Sequence, residues 1–413
     1  MICRSSVETL PGLQTSDYGE PMQSRIEELD ALRGLMLVWI LGTHLPTILS
    51  TYVNQPFGFF AATEGFIFLS ALFTGRIYFR IAERDGYGSM CRKLWKRTAK
   101  LYCYQLLLLA FAFIIEAPIA THGNRPAVHN LLDFYFATGH TRSFIDAALM
   151  VYRPPLLDIL PIYIIFIALT PFALILGSRF GWKYAFAGGF TLWLLAQLGL
   201  RSFAYHVQSR AFGLQVPLNE MGAFDLWAWQ LWWLVGLWLG VRWAKDDLHL
   251  EDWAKRIVIP AAVTAGFFLV LRYTQVDGLV TLQKFGLLLD KWEFGIGRII
   301  DFTAVAVLAI RFRSVLRPLA IRPLVMLGQA SLPVFCVHLL CVFLALTIMG
   351  NSPILRGWTA IAVVLASLSA LLLTAKIATN RRAKGGGNRA TSPKLQTPSR
   401  AGYEPGLARE KVA

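Results

Sequence analysis

Arg33 and His44 stand eleven residues apart in one apolar stretch, LDALRGLMLVWILGTHLP, at residues 29–46. A guanidinium can hold phosphate or carboxylate through paired N–H donors. An imidazole can take the proton of an alcohol near neutral pH. Eleven helical steps of about 100° return almost to the starting direction, so the two side chains share a helix face. They are then about 16 Å apart along the axis. The spacing alone is not specific. Its alternative reading is that Arg33 snorkels toward lipid headgroups while His44 bonds a neighbouring carbonyl.

Glu64 lies in the next apolar run, AATEGFIFLSALFTGRIYF. If that run returns from the outer face at about residue 57, Glu64 is roughly 10 Å deep, level with His44. A carboxylate there would orient the imidazole and stabilise its protonated form; the alternative is a structural ion pair. Asp158 in YRPPLLDILPIY is a second candidate for the orienting carboxylate. Asp225, Arg298, Asp301 and His338 also fall within or at the ends of apolar runs. Each alone is commonly a helix-packing residue; together they suggest a polar cavity that binds substrate on the outer side. On the opposite side, RKLWKRTAK places Lys93, Lys96, Arg97 and Lys100 on one helical face. Such a face grips phosphates, or answers to anionic lipid and the positive-inside rule.

The elements that must position these groups are membrane-spanning helices. Of 413 residues, 55% are hydrophobic and 16% charged, against about a quarter charged in soluble domains; mean hydropathy is +0.51. Ten apolar runs, many about 20 residues long, lie near 32–50, 57–79, 101–119, 156–177, 183–201, 226–243, 257–274, 296–311, 325–349 and 355–378. The expected fold is all-α, a polytopic membrane protein with about ten transmembrane helices. The run holding Glu64 is also readable as half-embedded. The net charge of +15 gathers in alternate loops and the tail, so it reads as topogenic rather than nucleic-acid binding. That pattern puts both termini in the cytoplasm. Expected domains are a disordered segment 1–24, a membrane domain 25–379 and a disordered basic tail 380–413. No cleavable signal is expected, because the first apolar run follows acidic RIEELD without a basic leader. Five cysteines form no CxxC, and the histidines show no ligand spacing, so no metal is expected.

Taken in order, LDALRGLMLVWILGTHLP, TEGFIFLSALFTGRIY, RKLWKRTAKLYCYQLLLL, YRPPLLDILPIYIIFIALTPFALIL, FDLWAWQLWWLVG and LGQASLPVFCVHLL resemble the corresponding stretches of OpgC proteins over residues 25–350. The wider acyltransferase-3 group is similar in carrying an R-x10-H motif on its first span. The resemblance implies a bacterial inner-membrane enzyme that succinylates osmoregulated periplasmic glucans. No tightly bound cofactor is implied; acyl-CoA, as succinyl-CoA, is the co-substrate and the glucan the acceptor. By resemblance the motif residues fall on Arg33 and His44, and a late histidine on His338. FIFLSA matches the wider group's FFVLSG at Ser70 but has Ala71 in place of its glycine.

The expected chemistry is acyl transfer, with His44 as base, oriented by Glu64 or Asp158. Arg33, Lys93, Lys96 and Arg97 would hold the donor's phosphates. Direct transfer is the simpler route; an acyl-enzyme through His44 or Ser70 is the other. A transporter or flippase for a small anion or glycan precursor would also need buried charges, but the chain has no repeated halves. A non-catalytic scaffold leaves the ionisable residues unexplained.

Overall fold

All ten apolar segments are helical in a computed structural model of the chain, which describes residues 27–248, 250–274 and 288–387. Among the described residues there is no strand, only an isolated bridge between Thr47 and Leu355. Residues Arg25–Ala378 form one compact unit. The second unit includes Thr379 onward. Of it, only 379–387 are described, and they continue the last helix to Gly387, eight residues into the expected tail. The expected segment 1–24 and the tail beyond 387 lie outside the described residues.

Helix α1 (Glu27–His44) ends at His44 because Pro46 follows: a proline disfavours helical backbone at the residue before it. The chain turns through α2 (Ile48–Val53) into α3 (Ala62–Ala110). Straight, the 49 residues of α3 would measure about 74 Å, far more than a bilayer. Gly86 breaks the helix with φ 81° and ψ 162°, a conformation glycine adopts without steric cost. The second arm folds back on the first. Arg97 Nη1 donates to Thr74 Oγ1 at 3.2 Å, although a straight helix would separate these positions by about 35 Å. Asp85 beside the break accepts from Arg84 and Lys93. A π-helical turn, Phe111–Glu116, leads on to α4 (Ala117–His122).

Three short helices, α5 (Pro126–Leu131), α6 (Asp133–Thr138) and α7 (His140–Ala148), precede α8 (Ile159–Leu176). Then come α9 (Trp182–Gln197), α10 (Leu200–Phe212), α11 (Leu226–Ala244) and α12 (Leu250–Tyr273). Apart from a single turn at Arg313–Leu316, the remaining described helices are α13 (Ile296–Arg311), α14 (Arg322–Gln329), α15 (Ser331–Met349) and α16 (Gly357–Gly387). The run expected at 325–349 is thus two helices, broken at Ala330.

Among the described residues, five helices are long and apolar enough to cross a membrane: Ala62–His122, Ile159–Gln197, Leu250–Tyr273, Ser331–Met349 and Gly357–Arg382. This is fewer than the ten spans expected, for local reasons. The first two are 61 and 39 residues long, where about 20 suffice for a crossing; one bends at Gly86 and the other at Gly181. Helix α1 carries Glu27, Glu28, Asp30 and Arg33 in its opening turns. Helix α13 has 16 residues and includes Arg298 and Asp301.

Small residues let the central helices approach closely. A Cβ on Gly240 would lie 2.1 Å from the Leu72 carbonyl, and one on Gly75 2.3 Å from that of Leu237. Gly236 and Gly240 thus form a small-xxx-small face on α11 against α3. Gly34 and Gly328 do the same between α1 and α14, where added Cβ atoms would fall 2.0 and 1.8 Å from backbone oxygens.

Candidate functional site

The His44 ring, placed at the last turn of α1, meets the buried His338 ring of α15. His44 Nδ1 and His338 Nε2 are 3.0 Å apart, and the rings stack with centroids 5.2 Å apart. His338 Nδ1 lies 3.1 Å from the Phe335 carbonyl. A carbonyl only accepts, so Nδ1 of His338 carries the hydrogen. Its Nε2, in the neutral ring, then accepts. His44 must therefore donate from Nδ1, which leaves the lone pair on its Nε2 free.

At the other end of α1, Arg33 Nη2 donates to Ser331 Oγ at 2.6 Å, and its guanidinium lies over the Phe73 ring. The pairs Arg33–Ser331 and His44–His338 occur in the same chain order, so α1 and α15 run parallel. Ser331 lines a narrow cavity of about 50 Å³ with Phe66, Arg97, Tyr163 and Phe335. Arg97 Nη2 donates to the Tyr163 phenolic oxygen at 2.6 Å. Phe335, whose carbonyl holds His338, stacks on Phe66. About two turns of α15, from Ser331 to His338, therefore join a two-arginine end to a two-histidine end.

The basic face expected for phosphates is divided. Arg97 turns into the cavity wall. Lys93 is held by Asp85 at 2.9 Å, and Lys96 is exposed.

The carboxylates expected to orient His44 have other hydrogen-bond partners in the structure. Glu64 sits at the third position of α3 and bends back to the Ala61 amide, Oε2 accepting at 2.8 Å, as a helix-capping glutamate does. Its Oε1 accepts from Arg298 Nε at 2.9 Å and also from Nη2. Both side chains are essentially inaccessible. Asp158 Oδ2 accepts from the Ala223 amide at 3.0 Å. Asp225 caps α11, accepting from the Trp227 amide. Asp301 Oδ2 accepts from the amides of Phe59 and Phe60 at 2.6 and 3.2 Å. Among the described residues, then, these three aspartates bind backbone and Arg298 is closed by Glu64, although Asp225 Oδ2 and Asp301 Oδ1 are buried without a partner. Ser70 is buried, and its hydroxyl bonds to neither histidine.

Lys291 was not singled out from the sequence. It lies in the turn before α13, and its charge acts on His44 and on Glu64, Asp158 and Arg298. A lone lysine in a short polar turn gave no signal. Among the described residues no cluster of three or more histidine, cysteine or acidic side chains could hold a metal ion.

Apolar helices around a histidine pair and buried arginines define a helical membrane protein with ionisable groups in its interior. Residues 25–383 match the family model described as OpgC protein. The chain belongs to the OpgC family, and membership implies a transferase role in glucan modification. The curated proteins and the solved structures give no match to it.

Proposed function

We propose that the chain is a membrane O-acyltransferase that moves an acyl group, succinyl by resemblance, from acyl-CoA on the cytoplasmic side to a hydroxyl of a periplasmic glucan. The observation that carries this reading is the His44–His338–Phe335 chain of hydrogen bonds, because it leaves one imidazole nitrogen unprotonated and oriented. The protein sits in the bacterial inner membrane with both termini cytoplasmic. Arg33 and Arg97 face the donor's phosphates on the inner side, and His44 acts beyond the midplane.

In the transfer step, Nε2 of His44 removes the proton of the glucan hydroxyl as its oxygen attacks the thioester carbon. The tetrahedral intermediate collapses, the C–S bond breaks, and the proton passes from His44 to the departing thiolate. The ester forms and the imidazole returns to its neutral state. His338 strengthens its hold on the Nδ1 hydrogen while His44 is cationic. A neutral ring does this less strongly than a carboxylate would.

Purified protein in lipid nanodiscs, given succinyl-CoA and a neutral glucan oligomer, is expected to yield glucan esters and free CoA in equal amounts. Translocation of glucan or anion across vesicles without ester formation would instead establish a transporter. Neither activity would leave the acyl-transfer reading without support.

A further inference from the structure

Lys291 is held in place by a turn whose backbone is fastened on several sides. The Trp292 carbonyl accepts from the Asp225 amide at 2.9 Å and from Trp229 Nε1 at 3.1 Å. The Glu293 carbonyl accepts from Gln197 Nε2 at 2.6 Å, and that of Phe294 from Trp193 Nε1 at 3.0 Å. Asp290 Oδ1 accepts from the amides of Trp292 and Glu293 at 2.7 and 2.6 Å. Donors from two helices, α9 and α11, therefore fix a segment that has no regular structure of its own. What the segment presents is an ammonium whose charge acts on His44.

The other cations of that neighbourhood are committed. Arg298 is closed by Glu64. Arg201 gives its guanidinium to the carbonyls of Ala223, Leu218 and Gly222. Arg153 Nε donates to the Met150 carbonyl at 2.8 Å. Lys291 has no carboxylate at ion-pair distance among the described residues; its Nζ lies 4.8 Å from the centroid of the Trp292 ring. Burial draws its ammonium below the ordinary lysine range, while Glu64 and Asp158 act in the opposite direction. A desolvated cation of this kind gains most from an anion that arrives with the substrate.

We propose that Lys291 binds a carboxylate at the far end of the transferred acyl group, so that the site selects a dicarboxylic acyl donor over a neutral one of equal length. It rests on the acyl-transfer reading and deepens it. The seating of Lys291 explains the selection: the thioester carbon must reach His44, and a short dicarboxylic chain then brings its second carboxylate within the field of the same ammonium that acts on His44. The donor's phosphates stay with Arg33 and Arg97 at the other end of α1.

The test compares succinyl-CoA with butyryl-CoA, which share a four-carbon chain and differ in the terminal carboxylate. An uncharged glucan oligomer is the acceptor, so the donor alone brings a carboxylate near His44. Wild-type protein is expected to favour succinyl-CoA in kcat/KM. K291M is expected to lower the succinyl-to-butyryl ratio by about 10- to 100-fold, the size of a charge-assisted hydrogen bond. K291R is expected to keep most of it. The ratio is the proper readout, because loss of a charge near His44 alters transfer from both donors alike. An unchanged ratio in K291M overturns the proposal. If K291M fails to fold, equal use of the two donors by the wild-type protein overturns it independently. No transfer from either donor overturns the acyl-transfer reading, and this selectivity with it; transfer without discrimination overturns the selectivity alone.

Discussion

His44 and His338 are 294 positions apart in the chain and 3.0 Å apart in space, Nδ1 to Nε2. The contact gives His338 a positioning role: it settles the tautomer of His44. Replacing His44 with alanine is expected to reduce transfer by about 10²- to 10⁴-fold, the usual contribution of a general base. H338F removes only the acceptor of the Nδ1 hydrogen. Its expected cost is about 10- to 100-fold in kcat, matching one lost hydrogen bond to a charged group, with KM for the donor unchanged. Steady-state kinetics in nanodiscs separate the two. Wild-type kcat in H338F would show that the pairing does not serve transfer.

The divided basic face makes a second prediction. Arg97 lines the cavity, whereas Lys96 is exposed and Lys93 is bound to Asp85. R97A should weaken CoA binding by about tenfold or more, as expected for loss of a guanidinium–phosphate contact. K96A should change it by less than about twofold, since exposed charges are screened. Calorimetric titration with CoA measures both. Equal losses in the two variants would return the phosphate site to the whole face.

Glu64 and Arg298 test stability rather than chemistry. Their side chains are 0% and 2% exposed and hydrogen-bonded to one another. Removing one partner leaves a buried charge alone, which costs about 3–5 kcal/mol. R298A is therefore expected to lower the thermal unfolding midpoint in detergent strongly. The apolar double replacement E64L/R298M should recover much of the loss. A double variant as unstable as R298A would mean that the capping bond from Glu64 to the Ala61 amide matters more than the ion pair.

How much of this was legible in the sequence differs by level. The apolar segments were, because a bilayer demands about 20 such residues in a row. The shared face of Arg33 and His44 was, because eleven steps nearly close a helical period. The partner of His44 was not. Depth in the membrane put Glu64 beside it, but depth says nothing about rotation of a helix around its axis. The rotation is set by close packing at Gly75, Gly236 and Gly240, and it turns Glu64 toward Arg298. The local partners of the aspartates were not legible either: Asp158, Asp225 and Asp301 accept from amides at the ends of helices and in loops, contacts that apolar patterning does not encode. Lys291 was hidden because its turn is positioned by tryptophan and glutamine donors from distant helices.

Asp301 offers the sharpest separation between a structural and a substrate-binding carboxylate. Its Oδ2 takes two successive amides, Phe59 and Phe60, and so pins the loop that leads into α3. Gly58 has φ +121°, and a Cβ there would lie 2.4 Å from Asp301 Oδ2, so the loop tolerates no side chain at this position. D301A leaves both amides without their acceptor, at about 1–3 kcal/mol each if they stay dry. D301N keeps an oxygen for them and should be milder. G58A should resemble D301A, since it pushes the same contact apart. Unfolding midpoints should then fall in the order wild type, D301N, then D301A and G58A together, with kcat/KM following stability. If D301N instead holds its midpoint and loses transfer, the buried Oδ1, which has no partner among the described residues, is where the acceptor glucan binds.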